Sequence, residues 1–77
     1  MQHMTPEEIA TIRQQGLDLI AERKQIIREQ ETLLAEARRF NHRHDIEMAE
    51  SEIEFRQEEI ADIRAKLVEL DEMEAHS

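Results

Sequence analysis

Apolar residues recur at seven-residue intervals in two separate stretches of this 77-residue chain. In the first stretch Ile12 is followed by adjacent pairs at 19/20, 26/27 and 33/34. In the second stretch one core position is held by Ile46, Ile53, Ile60 and Leu67, and the other by Ala49, Ile63 and Leu70. Seven residues make about two helical turns, so each stretch predicts a long amphipathic helix.

The two repeats are out of phase with each other near Asn41. If the first frame continued, core positions would fall on His44 and Ser51, but the apolar residues come two positions later, at Ile46 and Ile53. Coiled-coil discontinuities usually insert three or four residues, so a shift of two favours a turn. Asn41 suits the left-handed conformation that closes a helix. A single continuous helix is the alternative, because the junction contains no Gly or Pro.

The first helix carries a complete start signal. Thr5 stands at the N-cap, Pro6 at the first helical position and Glu8 where it completes a capping box. Met4 and Ile9 are spaced for a hydrophobic staple. We therefore predict a tail over 1–4 and one domain over 5–75, with a C-terminal tail at 76–77. Within the domain we expect a helix over 5–40, a turn over 41–44 and a helix over 44–74 that begins at His44 or Asp45.

These patterns predict an all-α fold, an antiparallel two-helix coiled-coil hairpin that dimerises into a four-helix bundle. The paired residues give the first helix an apolar face wider than one partner helix needs. Gly16 lies on the centre line of that face, where it indicates either a close helix approach or a tolerated weak point. The predicted oligomer interface comprises Ile12, Gly16, Leu19, Ile20, Arg23, Ile26, Ile27, Gln30, Leu33, Leu34, Ile53, Arg56, Ile60, Ile63, Leu67 and Leu70.

Three members of that set, Arg23, Gln30 and Arg56, are polar. In a hairpin that turns near residue 42, Gln30 lies level with Ile53, and Arg56 with Ile27. Polar groups at core positions can fix register and oligomeric state. The nearby acids Glu29, Glu52 and Glu59 could pair with either arginine. The alternative is that each arginine lays its stem along the seam and extends its charge into water.

Charge divides the chain into two unlike halves. The net charge is −9, of which residues 1–40 contribute −1 and residues 41–77 contribute −8. An acidic surface repels phosphate, so we expect neither direct nucleic-acid binding nor a membrane partner, and the electrostatic match is a basic protein surface. The chain has no cysteine, which excludes disulfides and thiolate metal sites. No signal peptide or membrane-length apolar run is visible, and we expect a cytoplasmic protein.

An acidic ridge follows the second helix at four-residue steps, formed by Glu50, Glu54, Glu58 and Asp62. Like charges at this spacing destabilise a helix, so their retention suggests a docking face for a basic partner. A stronger hypothesis is that the ridge imitates a phosphate strand and blocks a nucleic-acid-binding protein. The alternative is a solvated surface that keeps the bundle soluble.

Candidate chemistry is sparse. His42, His44 and Asp45 cluster at the turn with Glu47 nearby, but the two histidines lack the three- or four-residue spacing of helical metal ligands. A pH-sensitive turn is another interpretation of this cluster. We expect no metal, no cofactor and no catalysis, because the chain has no Cys or Tyr and no glycine-rich phosphate loop.

Three functions are compatible with these features. The leading one is a protein-binding adaptor, assembly factor or regulator, whose binding should depend on apolar residues and vary little with salt. The second is an acidic inhibitor of the kind found in phage and mobile elements, whose binding should depend on the four ridge carboxylates and weaken with salt. The third is a segment of a longer coiled-coil protein, which the N-terminal cap and the initial methionine make less favoured.

Overall fold

A computed structural model describes residues 4–76 and shows two helices packed side by side. Helix α1 spans Pro6–Arg39 and helix α2 spans Arg43–Ala75. They form an antiparallel hairpin that measures 56 × 16 × 15 Å. The predicted all-helical hairpin is confirmed, and the alternative of one continuous helix is wrong. Residues 1–3 and 77 of the predicted tails lie outside the described residues.

The start of α1 follows the cap signal in the sequence. Thr5 has an extended backbone, and its Oγ1 accepts a hydrogen bond of 3.1 Å from the Glu8 N–H. The same hydroxyl donates to Glu8 Oε1 at 3.1 Å. Glu8 therefore pairs with the Thr5 side chain, whereas in a standard capping box it would accept from the Thr5 backbone. Pro6 occupies the first helical position, and Ile9 is buried one turn later.

The turn is a Schellman motif closed by Asn41. Asn41 has φ 54°, in the left-handed region, and its N–H donates to the Arg38 carbonyl at 3.2 Å. The His42 N–H reaches back to the Ala37 carbonyl at 2.9 Å. These two bonds satisfy carbonyls that the end of α1 would otherwise leave unpaired. The prediction that Asn41 closes the first helix is confirmed.

Helix α2 begins earlier than the sequence suggested. Its N-cap is His42, whose side chain makes no capping hydrogen bond, so the prediction of a start at His44 or Asp45 is wrong. The reason is the compactness of the Schellman turn, which reverses the chain within Phe40–His42 and leaves no residues for a separate cap. Asp45 falls in the first turn of α2, where its negative charge suits the positive end of the helix dipole.

The core is a single seam between the helices. One member of each apolar pair of α1 enters it, as Ile20 and Leu34 show by their burial. Gly16 is buried directly against Leu67 of α2. The sequence predicted that Gln30 lies level with Ile53. Gly16 is 14 residues before Gln30, and Leu67 is 14 residues after Ile53, so the Gly16–Leu67 contact has the predicted register. Buried apolar residues along the seam are Ile9, Ile20, Leu34, Ala37, Ala49, Ile60 and Leu70.

At the open end of the hairpin, ion pairs link the two helices, and we call this group of three residues the charged clamp. Arg13 Nη2 donates to Asp71 Oδ1 at 2.6 Å and to Glu74 Oε1 at 3.2 Å. Hydrogen bonds to these two carboxylates raise the pKa of the Arg13 guanidinium above its ordinary value. The clamp joins the beginning of α1 to the end of α2 and therefore fixes the register at the end remote from the turn.

Candidate interaction surfaces

Within residues 4–76, an apolar stripe along α1 is left exposed by the packing of the hairpin. It consists of the first member of each apolar pair, together with one residue at each end, and its members are Ile12, Leu19, Ile26, Leu33 and Phe40. Ile26 is half-buried, whereas the other four are 41% to 57% exposed. Because seven residues bring a helix back to nearly the same direction, the five side chains lie along one side of α1.

Helix α2 extends this stripe at the turn end. Met48 is 60% exposed and Phe55, two turns further on, is 53% exposed. Met48, Leu33 and Phe40 line a concavity of about 350 Å³ together with Ala37 and Ala49, and Gln30, Glu36, His42 and Asp45 also line it. We call this concavity the cup, and the α1 stripe together with Met48 and Phe55 the apolar face. A connected apolar surface of this kind is usually covered in a stable protein.

Polar residues of the seam gather halfway along the hairpin. Arg56 donates from Nε to Glu52 Oε1 at 2.9 Å and from Nη1 to Glu59 Oε1. Arg23 of the other helix donates from Nε to Glu59 Oε2 at 3.3 Å. Glu59 therefore receives one arginine from each helix. We call these four residues, Arg23, Glu52, Arg56 and Glu59, the central ion-pair cluster.

The cluster agrees in part with the pairing that the sequence suggested. Glu52 and Glu59 pair with the arginines, whereas Glu29 accepts a hydrogen bond from Gln25 on its own helix instead. The guanidinium of Arg56 also lies over the Phe55 ring, 5.0 Å from its centroid. The arginine thus covers one side of an aromatic ring that solvent would otherwise reach, as cation–π pairs do.

Hydrogen bonding inside the cluster shifts two ionisation equilibria. The hydrogen bond from Arg56 is the main cause that lowers the pKa of the Glu59 carboxyl below its ordinary value, and the charges of Arg56 and Arg23 add to it. The bond to Glu59 likewise raises the pKa of Arg56. Partial burial opposes both shifts, since it disfavours charged forms. Arg56 and Glu59 are therefore both ionised at neutral pH.

The acidic ridge is exposed along its whole length. Glu50 is 3.9 Å from Arg38 across the helices, between Oε1 and Nη2. Within residues 4–76 no ion pair joins Glu54, Glu58 or Asp62 to a cation. These three carboxylates carry the least compensated negative charge of the four ridge residues.

The ridge winds around α2. Each step of four residues turns by about 40°, so the three steps from Glu50 to Asp62 turn by about 120°. Glu50 begins beside Arg38, and Asp62 ends on the line of Met48 and Phe55, seven residues beyond the phenylalanine. The four carboxylates therefore do not face one direction, and a flat partner could contact only some of them.

Of the residues clustered at the turn, His42 and Asp45 line the cup. His42 Nδ1 is 3.6 Å from Asp45 Oδ2, and the His42 ring lies 6.1 Å from the Phe40 ring, centroid to centroid. His44 and Glu47 are exposed. Over residues 4–76 no group of three or more His, Cys, Asp or Glu side chains is arranged to hold a metal ion.

The predicted interface residues separate into two sets. Most lie in the seam of one hairpin, where Gly16, Ile20, Leu34, Ile60 and Leu70 are buried and Arg23, Ile27, Gln30, Ile53, Arg56, Ile63 and Leu67 are half-buried. The remainder, Ile12, Leu19, Ile26 and Leu33, lie on the apolar face. Phe40, Met48 and Phe55 also belong to that face but were not predicted, although the sequence shows Phe40 seven residues after Leu33 and Phe55 seven residues after Met48.

Between residues 4 and 76, neither helix combines the length and apolar character that crossing a membrane requires.

Comparison of the chain with protein-family models, with curated proteins and with solved structures found no match.

Proposed function

We propose that this protein is a non-catalytic interaction module that works as a dimer of hairpins and binds another protein. The observation that carries the proposal is the exposure of the apolar face, with Leu33 52% and Phe40 57% exposed in the single hairpin. A second hairpin laid on this face would bury it and complete a four-helix bundle. A cytoplasmic location, expected from the sequence, is part of the proposal.

Two substitutions on the apolar face test the self-association. Leu19→Glu with Leu33→Glu places charge on a surface that is exposed in one hairpin but buried in the dimer. We expect the variant to keep its helical circular dichroism and to have the mass of a single chain in light scattering. The matched control is Leu17→Glu with Val68→Glu, since both residues are exposed and lie outside the apolar face. A dimeric Leu19/Leu33 variant would contradict the proposal.

The outer surface of the dimer is the natural place for the second partner. Helix α2 contributes most of the charge of the acidic half of the chain, which has a net charge of −8 over residues 41–77. This surface complements a protein with a basic patch, since complementary potentials accelerate encounter and suppress wrong partners. Apolar contacts at exposed Leu17 and Val68 would add to such a complex.

A second candidate function is inhibition of a nucleic-acid-binding protein by mimicry of its ligand. It is supported by Glu54, Glu58 and Asp62, which are exposed and have no ion pair in the described part of the chain. Each step of four residues rises about 6 Å, close to the spacing of two nucleotides along a strand. A nucleic-acid-binding protein could therefore contact this row in place of phosphates.

Affinity capture with three forms of the protein separates the two functions. The forms are the natural chain, Glu54→Gln/Glu58→Gln/Asp62→Asn, and the charge-matched control Glu7→Gln/Glu69→Gln/Glu72→Gln at the open end. For an adaptor whose basic partner responds to the overall charge, both variants weaken capture to a similar, modest extent at moderate salt. For a mimic, only the ridge variant loses its partner, and DNA or RNA competes for the captured protein. A partner that both variants lose equally would contradict the mimic, because the loss would then follow net charge alone.

A further inference from the structure

We propose that the second copy covers the apolar face in the antiparallel orientation, α1 against α1, with the twofold axis passing beside Ile26. The two turns then lie at opposite ends of the dimer. This inference rests on the proposed self-association and deepens it, since it identifies which helices meet, in which direction and in which register.

The stripe on α1 is self-complementary about its centre. Ile12, Leu19, Ile26, Leu33 and Phe40 are equally spaced, so a twofold axis beside Ile26 brings Leu19 onto Leu33 of the second copy. The same axis brings Ile12 onto Phe40 of the second copy. The stripe extends about 21 Å to either side of Ile26 at 1.5 Å per residue. Every apolar residue of the stripe thereby gains an apolar partner in a closed, isologous dimer.

The cup discriminates between the two possible directions. It lies at the turn end, bounded by Leu33, Phe40 and Met48. Antiparallel pairing lays the open end of the second copy over it, with Ile12 of that copy above the Leu33–Phe40 wall. Parallel pairing would instead place both cups at one end of the dimer, each about 350 Å³ and lined by Gln30, Glu36, His42 and Asp45 as well as by apolar residues. The apolar part of that lining would then lack packing partners at this end.

Charge at the two ends favours the same direction. Residues 38–44 contain three arginines and no carboxylate, whereas residues 69–76 contain four carboxylates and no Lys or Arg. Two of those carboxylates, Asp71 and Glu74, pair with Arg13 of the same copy. In the antiparallel dimer each arginine-rich turn lies beside the acidic open end of the other copy. The separation is about one helix diameter, roughly 10 Å, which is comparable to the screening length at physiological salt. The parallel dimer would instead place the two acidic ends together.

The glutamates that flank the stripe all lie on one side of it. Glu22, Glu29 and Glu36 follow the stripe at constant spacing along α1 and are exposed. With the axis beside Ile26, residue 22 lies level with residue 30 of the second copy, so antiparallel pairing brings Glu22 near Glu29 of that copy. The repulsion between these exposed carboxylates is screened at physiological salt. The preference for the antiparallel direction therefore comes from the cup and from the charges at the two ends.

Engineered cysteines test the orientation, because the natural chain contains none. A disulfide needs β carbons about 4 Å apart, so it reports which residues meet. We expect Ile26→Cys to form a disulfide-linked dimer under mild oxidation. We expect Leu19→Cys alone to remain unlinked, since its two copies lie about 21 Å apart along the axis. Leu19→Cys mixed with ¹⁵N-labelled Leu33→Cys should give the mixed disulfide, identified by intact mass.

Leu17→Cys is the control, since this position is exposed and lies outside the apolar face. The amount of disulfide that it forms measures linkage by random collision. Linkage of Leu19→Cys to itself, above that background and without the mixed product, would show a parallel dimer and overturn the orientation while leaving self-association intact. A dimer by light scattering in which Ile26→Cys does not link would overturn the α1–α1 contact. A single-chain mass for the unmodified protein would instead overturn the self-association on which the inference rests.

Discussion

Leu67 packs so closely over Gly16 that a β carbon on residue 16 would lie 2.8 Å from Leu67 Cδ2. A glycine in a helix interior costs roughly 1 kcal/mol relative to alanine, yet here it allows α2 to approach α1. The contact lies about two-thirds of the way from the turn to the open end. The close approach of the two helices at this level therefore depends on the absence of a side chain at residue 16.

Enlarging residue 16 should destabilise the hairpin. Gly16→Val places a β carbon and two methyl groups against Leu67, and overpacking of this kind costs about 1 to 3 kcal/mol. Gly16→Ala should change stability by less than about 1 kcal/mol, because its gain in helix propensity offsets the displacement of a flexible leucine end. Urea unfolding followed by circular dichroism measures both free energies.

Truncation of Leu67 provides the control for the effect of enlarging residue 16. In the Leu67→Ala background the space above residue 16 is open, so Gly16→Val should lose much less stability there than in the natural chain. A double-mutant cycle gives this coupling free energy. Additive effects of the two substitutions would contradict the close contact.

The left-handed backbone conformation of Asn41 leads to a second prediction. Asn41 has φ 54°, and a residue other than Gly or Asn is strained in that region by about 1 to 2 kcal/mol. Asn41→Ala should therefore lower the free energy of unfolding by roughly 1 kcal/mol, whereas Asn41→Gly should preserve it or raise it slightly. Equal stabilities for the alanine and glycine variants, measured by urea unfolding, would show that residue 41 is not left-handed in solution.

The central ion-pair cluster predicts a dependence of stability on pH. The pKa of Glu59 is lowered in the folded chain, mainly by its hydrogen bond from Arg56. A lowered pKa stabilises the fold above the unfolded-state pKa, near 4.5, and this stabilisation is lost as pH falls through the folded-state pKa. The melting temperature should thus fall between pH 6 and pH 3, and it should fall less in Glu59→Gln.

The control for that titration is Glu31→Gln, which removes an exposed carboxylate of α1 outside the central ion-pair cluster. Its melting temperature should follow the same pH profile as that of the natural chain. If Glu59→Gln and Glu31→Gln have indistinguishable profiles, the interhelical pairing of Glu59 does not contribute to stability.

The sequence predicted the hairpin and its register because both depend on regular features. The phase change between the two apolar repeats favoured a turn, and Asn41 is suited to close it. The level of Gln30 with Ile53 follows once the turn is placed, and the Gly16–Leu67 contact agrees with it. Such features repeat along the chain, so an error at one position does not alter the conclusion.

The sequence was less informative where a single backbone hydrogen bond or side-chain direction decides the outcome. The cap of α2 was misplaced because the His42 N–H bonds back to Ala37 and ends α1 within a very short turn. The apolar pairs of α1 indicated a wide face but did not show which member enters the seam. Met48 and Phe55 were overlooked because they lie outside the core positions of α2 and form part of a surface only beside Leu33 and Phe40.

The central claim is that a second hairpin covers the apolar face, and solution mass measured with shape tests it most directly. Light scattering coupled to small-angle X-ray scattering on one sample should give twice the chain mass of 9.2 kDa. The particle should have a length close to the 56 Å of one hairpin and about double its cross-section. A single-chain mass at high concentration, with the radius of gyration near the 17.3 Å of one hairpin, would contradict the account.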